Sequence, residues 1–157
     1  IGMFNPTWEE DSHFDSCFDE AVDFAATVLK RLIASAKGGI SAKEIVAKAI
    51  DNAEDPRVIV LEKYTPWKRT VHALSEEALY MIYPSQTGQW RIQTVPVEPG
   101  SFENRKSLPK QWAGLSGKEL TEVTGIDDAM FCHNGLFIAG AESFESTMKM
   151  ASIALNE

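Results

Sequence analysis

The chain has 157 residues, 44% of them apolar and 24% charged, with a net charge of −8. That length supports one domain with a real core, and no apolar run nears the roughly 20 residues that a membrane span needs. The acidic balance argues against a domain that grips nucleic acid unaided, because such domains usually carry a basic face.

The opening IGMFNPTWEE lacks a basic segment followed by an apolar run, so it is not a signal peptide. Ile1-Gly2 reads as a cloning remnant or a cut site. Residues 16–37 predict a long amphipathic helix, with Phe18, Ala21, Val22, Ala25, Val28, Leu29, Leu32, Ile33 and Ala36 at helical spacing. Ser16 is a fitting N-cap, and Gly38-Gly39 should end the helix. Ser41 and Glu44 have the spacing of a capping box, with Ile40 and Ile45 as its staple, and open a second helix to about residue 52. A buried strand follows at 58–61, then Thr65-Pro66 as the start of a short helix at 67–75. Strands at 78–83 and from 90 form a hairpin around Ser85–Gly88. Ser116 and Glu119 are a second capping box, and Gly125 closes that helix. Strands at 129–132 and 136–139 flank Asn134-Gly135, a strong hairpin signal. Ser143 caps a last helix at 144–155. The alternation predicts an α/β fold, with α+β as the variant: a mixed sheet of about five strands with flanking helices. Residues 1–157 read as a single domain without internal repeats.

The stretch 90–109, WRIQTVPVEPGSFENRKSLP, is the most informative. It starts as a strand in which Trp90, Ile92 and Thr94 point one way and Arg91, Gln93 and Val95 the other. Pro96, Pro99 and Gly100 then fix an irregular loop bearing Ser101, Asn104, Arg105 and Lys106. Two readings stand side by side: a solvated, self-fastened loop, or a donor-rich loop that faces a ligand. Arg105 separates them. It either meets an anion together with Arg91 and Lys106, or fastens the loop to an acidic neighbour such as Glu103 or Glu119. The segment 134–143 reads as strand, glycine-bearing turn and helix start. That is either a tight structural turn or a cradle of free N–H groups for an anion. His133 beside it is either a hydrogen-bonded structural residue or a ligand contact. The three histidines lack zinc-ligand spacing, and no P-loop, nucleophile elbow or dinucleotide fingerprint is present. Cys17 and Cys132 are too few for a disulfide framework and read as reduced thiols.

Several pieces together resemble a known family. The runs WRIQ, VP, PGSFENR and LP within 90–109, followed by Trp112 to Leu115, look like the C-terminal half of the melanocyte-proliferating-gene family. Asn5 to Trp8, Pro66 to Lys68, Thr124 to Ile126 and Phe131 to His133 match in order, so the resemblance covers nearly the whole chain. Gly140 agrees with the family's paired-glycine turn, while Ala139 stands where the second glycine usually does. The family is related to DHH-type phosphoesterases such as RecJ-like exonucleases. The resemblance implies a fold like a DHH-associated C-terminal domain. It also implies an intracellular protein of the nucleus, cytoplasm or mitochondrion. The whole protein would be a metal-dependent 3′-to-5′ RNA exonuclease, with manganese or magnesium held in an N-terminal domain outside these residues. This chain would then hold no catalytic residue, metal or cofactor. It would pair with that N-terminal phosphoesterase domain and with no membrane, and a homodimer stays open. Arg91, Ser101, Asn104, Arg105, His133 and Gly140 would face the RNA or nucleotide substrate. The alternative is a non-catalytic interaction or dimerisation module, using the acidic long helix and exposed tryptophans to hold a partner.

Overall fold

The computed structural model describes residues 2–11 and 13–157. Four helices and five strands follow in order: α1 (Phe14–Asp51), β1 (Val58–Val60), α2 (Lys68–Leu74), β2 (Tyr80–Pro84), β3 (Trp90–Thr94), α3 (Gly117–Thr124), β4 (Ala129–Cys132), β5 (Ile138–Ala141) and α4 (Phe144–Asn156). The strands form one mixed sheet in the order β1-β2-β3-β5-β4. Only β1 and β2 run parallel; the other pairs are antiparallel. This agrees with the α/β fold and the five-stranded mixed sheet read from the sequence. The chain divides into two compact units, residues 1–41 and 42–157, and α1 belongs to both.

In the second unit, alternation along the strands sends side chains to two faces. On one face Tyr80, Ile82, Ile92 and Ala139 pack with Leu120 of α3 and Met150 and Ala154 of α4. On the other, Ile59, Met81 and Tyr83 pack with Val46 of α1 and with Trp67 and Val71 beside and within α2. That second cluster draws its strand residues from β1 and β2. The same face of β3, β5 and β4 is left half-buried, and it carries Arg91, Gln93, Ile138 and Phe131.

Several local expectations are corrected. The helix does not stop at Gly38-Gly39 but runs through them to Asp51. Glycine in a helix interior costs about 1 kcal/mol relative to alanine, yet it does not forbid helical geometry, and no proline follows before Pro56. Ser41 and Glu44 are therefore mid-helix and form no capping box. Thr65 does not cap α2; its hydroxyl donates to the Lys63 carbonyl, and Trp67 stands at the N-cap position. The β4–β5 turn takes its left-handed residue at Leu136, φ 56°, and not at Asn134 or Gly135. The His133 N–H donates to the Ile138 carbonyl and the Leu136 N–H to the His133 carbonyl, so the loop is longer than a two-residue hairpin. Gly140 lies inside β5, not in a turn.

Candidate functional site

The half-buried face of the sheet is built around Arg91. Its cross-strand partner is Gly140, which in turn pairs with Phe131. A Cβ on residue 140 would stand 2.5 Å from Arg91 Nη1 and 2.8 Å from the Trp90 carbonyl oxygen. Glycine is therefore required here for a steric reason: the arginine side chain lies flat over the bare backbone of β5. The guanidinium carbon ends 4.9 Å from the centre of the Phe131 ring on β4, a cation–π contact. Nη2 donates to Gln89 Oε1 at 3.3 Å and Nη1 to the Trp90 carbonyl at 3.4 Å. Among the described residues no carboxylate pairs with it.

Two further groups complete the face. The Tyr83 hydroxyl donates to Gln93 Oε1 at 2.5 Å, and burial pushes the Tyr83 phenol up to about 12. The phenol therefore stays neutral and acts as a fixed donor. His133 follows β4 and hydrogen-bonds through its backbone to Ile138, whose cross-strand partner is Gln93. Its Nδ1 accepts the Gly135 N–H at 2.9 Å, and its ring packs against Phe137 at 4.4 Å between centroids. Because Nδ1 is an acceptor, the neutral ring carries its proton on Nε2. The exposed histidine thus offers a donor to whatever lies over the face. A planar cation stacked on an aromatic ring suits stacking on bases and contact with phosphate oxygens.

The six residues singled out in the sequence fall into two groups. Arg91, Gly140 and His133 belong to this open face. Ser101, Asn104 and Arg105 belong to the loop after β3, where internal partners hold them. Ser101 Oγ accepts the Glu103 N–H at 3.0 Å. Asn104 Oδ1 accepts the Thr94 hydroxyl at 2.7 Å. Arg105 Nη1 reaches the carbonyls of Ser75, Glu76 and Ala78 at 2.9, 3.1 and 2.9 Å, and Nη2 lies 3.5 Å from His72 Nδ1. Arg105 thus gathers the turn between α2 and β2, through carbonyls and not through Glu103 or Glu119. Lys106 donates to the Leu155 carbonyl at 2.9 Å near the end of α4.

The start of α4 has its own occupant. Asp128 Oδ2 accepts the Ser143 N–H at 2.9 Å and the Ser143 hydroxyl at 2.7 Å, while Ser143 Oγ caps the Ser146 N–H. Burial works against the Asp128 charge, but the Ser146 and Ser143 groups facing it hold the carboxyl below the usual range. An anion from outside would find this helix end already filled. The donor set does not fit a divalent ion either: among the described residues no three His, Cys, Asp or Glu side chains converge. A cavity of about 790 Å³ runs along the free edge of β1, between the end of α1 and the start of α4, and none of the six residues lines it.

Sequence reasoning missed Phe131, Gln93, Tyr83 and Phe137. Part of the signal was there, since Arg91 and Gln93 share a face by strict alternation. What was missing was the β3–β5–β4 order that sets Phe131 across a glycine from Arg91.

The fold is that of a mixed α/β domain whose sheet carries one half-buried face with a cation at its centre. Residues 1–155 match a family profile, MYG1_exonuc, described as Uncharacterised protein family (UPF0160). The chain belongs to this MYG1 family. It is 33% identical to a MYG1 protein of Saccharomyces cerevisiae, over 99% of this chain and 50% of that protein. It is likewise 33% identical to the human MYG1 exonuclease, over 99% of this chain and 45% of the relative. A MYG1 protein of Chlamydia pneumoniae is 30% identical over the full chain and 54% of its own length. The chain thus spans about half the length of the curated relatives it matches. No solved structure matches it.

Proposed function

We propose that this chain is the substrate-binding C-terminal half of a metal-dependent exonuclease that trims single-stranded RNA. Relatives carry the name MYG1 exonuclease, and the notion of a DHH-type phosphoesterase half preceding this one rests on the sequence resemblance given above. Manganese or magnesium would belong to that other half, because the donors here do not fit an ion.

The observation that carries the reading is Arg91, laid across Gly140 onto Phe131 and free of any carboxylate among the described residues. A guanidinium held in this way loses little further freedom on binding, and its fork matches phosphate oxygens. His133 and Phe137 extend the face for a neighbouring nucleotide. Ser101, Asn104 and Arg105 shape the adjoining loop.

The test uses the full-length protein. Arg91→Ala should leave its melting temperature nearly unchanged and weaken single-stranded RNA binding. It should also flatten the slope of log affinity against log salt by about 0.7, one phosphate contact. Unaltered affinity and slope would remove Arg91, and this face, from the reading.

A further inference from the structure

The first unit exposes an apolar seam. Phe18, Val22, Ala25, Leu29, Leu32 and Ala36 of α1 recur at alternating steps of four and three and are all exposed, Phe18 by 67% and Leu32 by 62%. Steps of four and three are the spacing by which one helix packs along another. Met3 and Phe4 fold back on this helix, with Phe4 and Phe24 at 5.5 Å between ring centres, but they leave the seam open.

Charge along the helix is divided in two. From Phe14 to Leu29 the charged residues are Asp15, Asp19, Glu20 and Asp23, all acidic. From Lys30 to Lys43 they are Lys30, Arg31, Lys37 and Lys43, all basic. Two copies side by side in parallel would set acid against acid. Reversed, they set each acidic half against the other's basic half.

We propose that the seam is covered by α1 of a second copy of this chain, running antiparallel. The seam is symmetric about Thr27. Reversal sets Phe18 against Ala36, Leu29 against Ala25, and Val22 against Leu32. Large residues then meet small ones at two of the three levels, which lets the two helices interdigitate. The same register brings Asp23 level with Arg31 and Asp19 within a turn of Lys37. One two-fold axis generates every contact, so the interface is closed and self-complementary. The relation is independent of the nucleic-acid reading.

The test combines mass, salt and cross-linking. Sedimentation of the full-length protein, and of this chain alone, should give a dimer that weakens as salt rises, since the flanking charges attract. Leu32→Glu should raise the dimer dissociation constant about 100-fold or more, because two leucines leave the seam. The fluorescence of buried Trp112 should stay unchanged, which separates this loss from misfolding of the second unit. On a Cys17→Ser background, oxidising an equal mixture of Val22→Cys and Leu32→Cys chains should yield the mixed disulfide. A monomeric full-length protein would overturn the proposal and assign the seam to the rest of the longer chain. So would a dimer indifferent to Leu32→Glu. Prompt 22–22 or 32–32 disulfides, or a dimer strengthened by salt, would overturn the antiparallel order.

Discussion

Arg105 and Arg91 are both half-buried, and neither has an ion-pair partner among the described residues, yet their surroundings give them opposite work. The loop that carries Arg105 passes beside a turn whose carbonyls converge, so the guanidinium is drawn inward to Ser75, Glu76 and Ala78. The strand that carries Arg91 faces a glycine and then a phenyl ring, so the guanidinium lies flat and meets, among the described residues, two acceptors at 3.3 and 3.4 Å. A donor-rich sequence does not by itself mark a ligand site. What decides is whether the fold brings acceptors to the donor before a ligand does.

The largest expected effect sharpens the first half of that contrast. Arg105→Ala removes a charged donor from three carbonyls, and charge-assisted hydrogen bonds contribute about 1.5–3 kcal/mol. The substitution should cost about 2–3 kcal/mol of unfolding free energy in urea, on the same scale. It should leave the salt slope of RNA binding alone in the full-length protein. A normal midpoint with a flattened slope would reverse the roles of the two arginines.

Gly140→Ala comes next and addresses the other half. The new methyl meets Arg91 and the Trp90 carbonyl, and such overpacking costs about 1–3 kcal/mol. Arg91 can move, whereas the Trp90 backbone cannot move as readily. Adding Arg91→Ala should therefore recover part of the loss, a coupling that a double-mutant cycle reads directly. Strict additivity would mean that the arginine does not lie over residue 140.

The smallest effect is a pH dependence at the Arg105 end. Burial, then the neighbouring Arg105 charge, lowers His72 from its ordinary 6.5; Glu98 opposes this and Lys68 adds to it. The unfolded chain therefore takes up the proton first. This contribution to stability is complete above about pH 6.5 and declines as pH falls below it. Asp128, held below the usual carboxylate range, begins to lose its contribution only in stronger acid. Melting temperatures between about pH 6.5 and 5 should thus fall less steeply in His72→Asn than in the parent chain. Identical slopes would remove His72 as the cause.

Local signals were legible where physics is local. The Ser85–Gly88 turn, the Gly125 cap at φ 68° and the Ser143 cap all came from residue types that suit one backbone geometry. Gly38-Gly39 misled because glycine permits many conformations and forbids none. Ser41 and Glu44 misled because a capping box has the same spacing as an ordinary helix face. The site was half legible: alternation sets Arg91 on one face of β3, but its Phe131 partner depends on a sheet order that no short stretch encodes. Asp128 lies in no motif that its neighbours in sequence reveal. Its role at the start of α4 depends on β4 beginning beside that helix, a long-range fact.

The two cysteines carry a practical consequence for the protein in air. Cys132 is buried, and burial pushes its thiol up to about 11. Near neutral pH about one such group in ten thousand is thiolate, the form that oxidises. Cys17 is half-buried on α1. In an antiparallel pair of helices its counterpart sits about 30 Å away along the axis, at 1.5 Å per residue. A disulfide between them is out of reach. On a non-reducing gel the pair proposed above should therefore show no Cys17–Cys17 disulfide within one dimer.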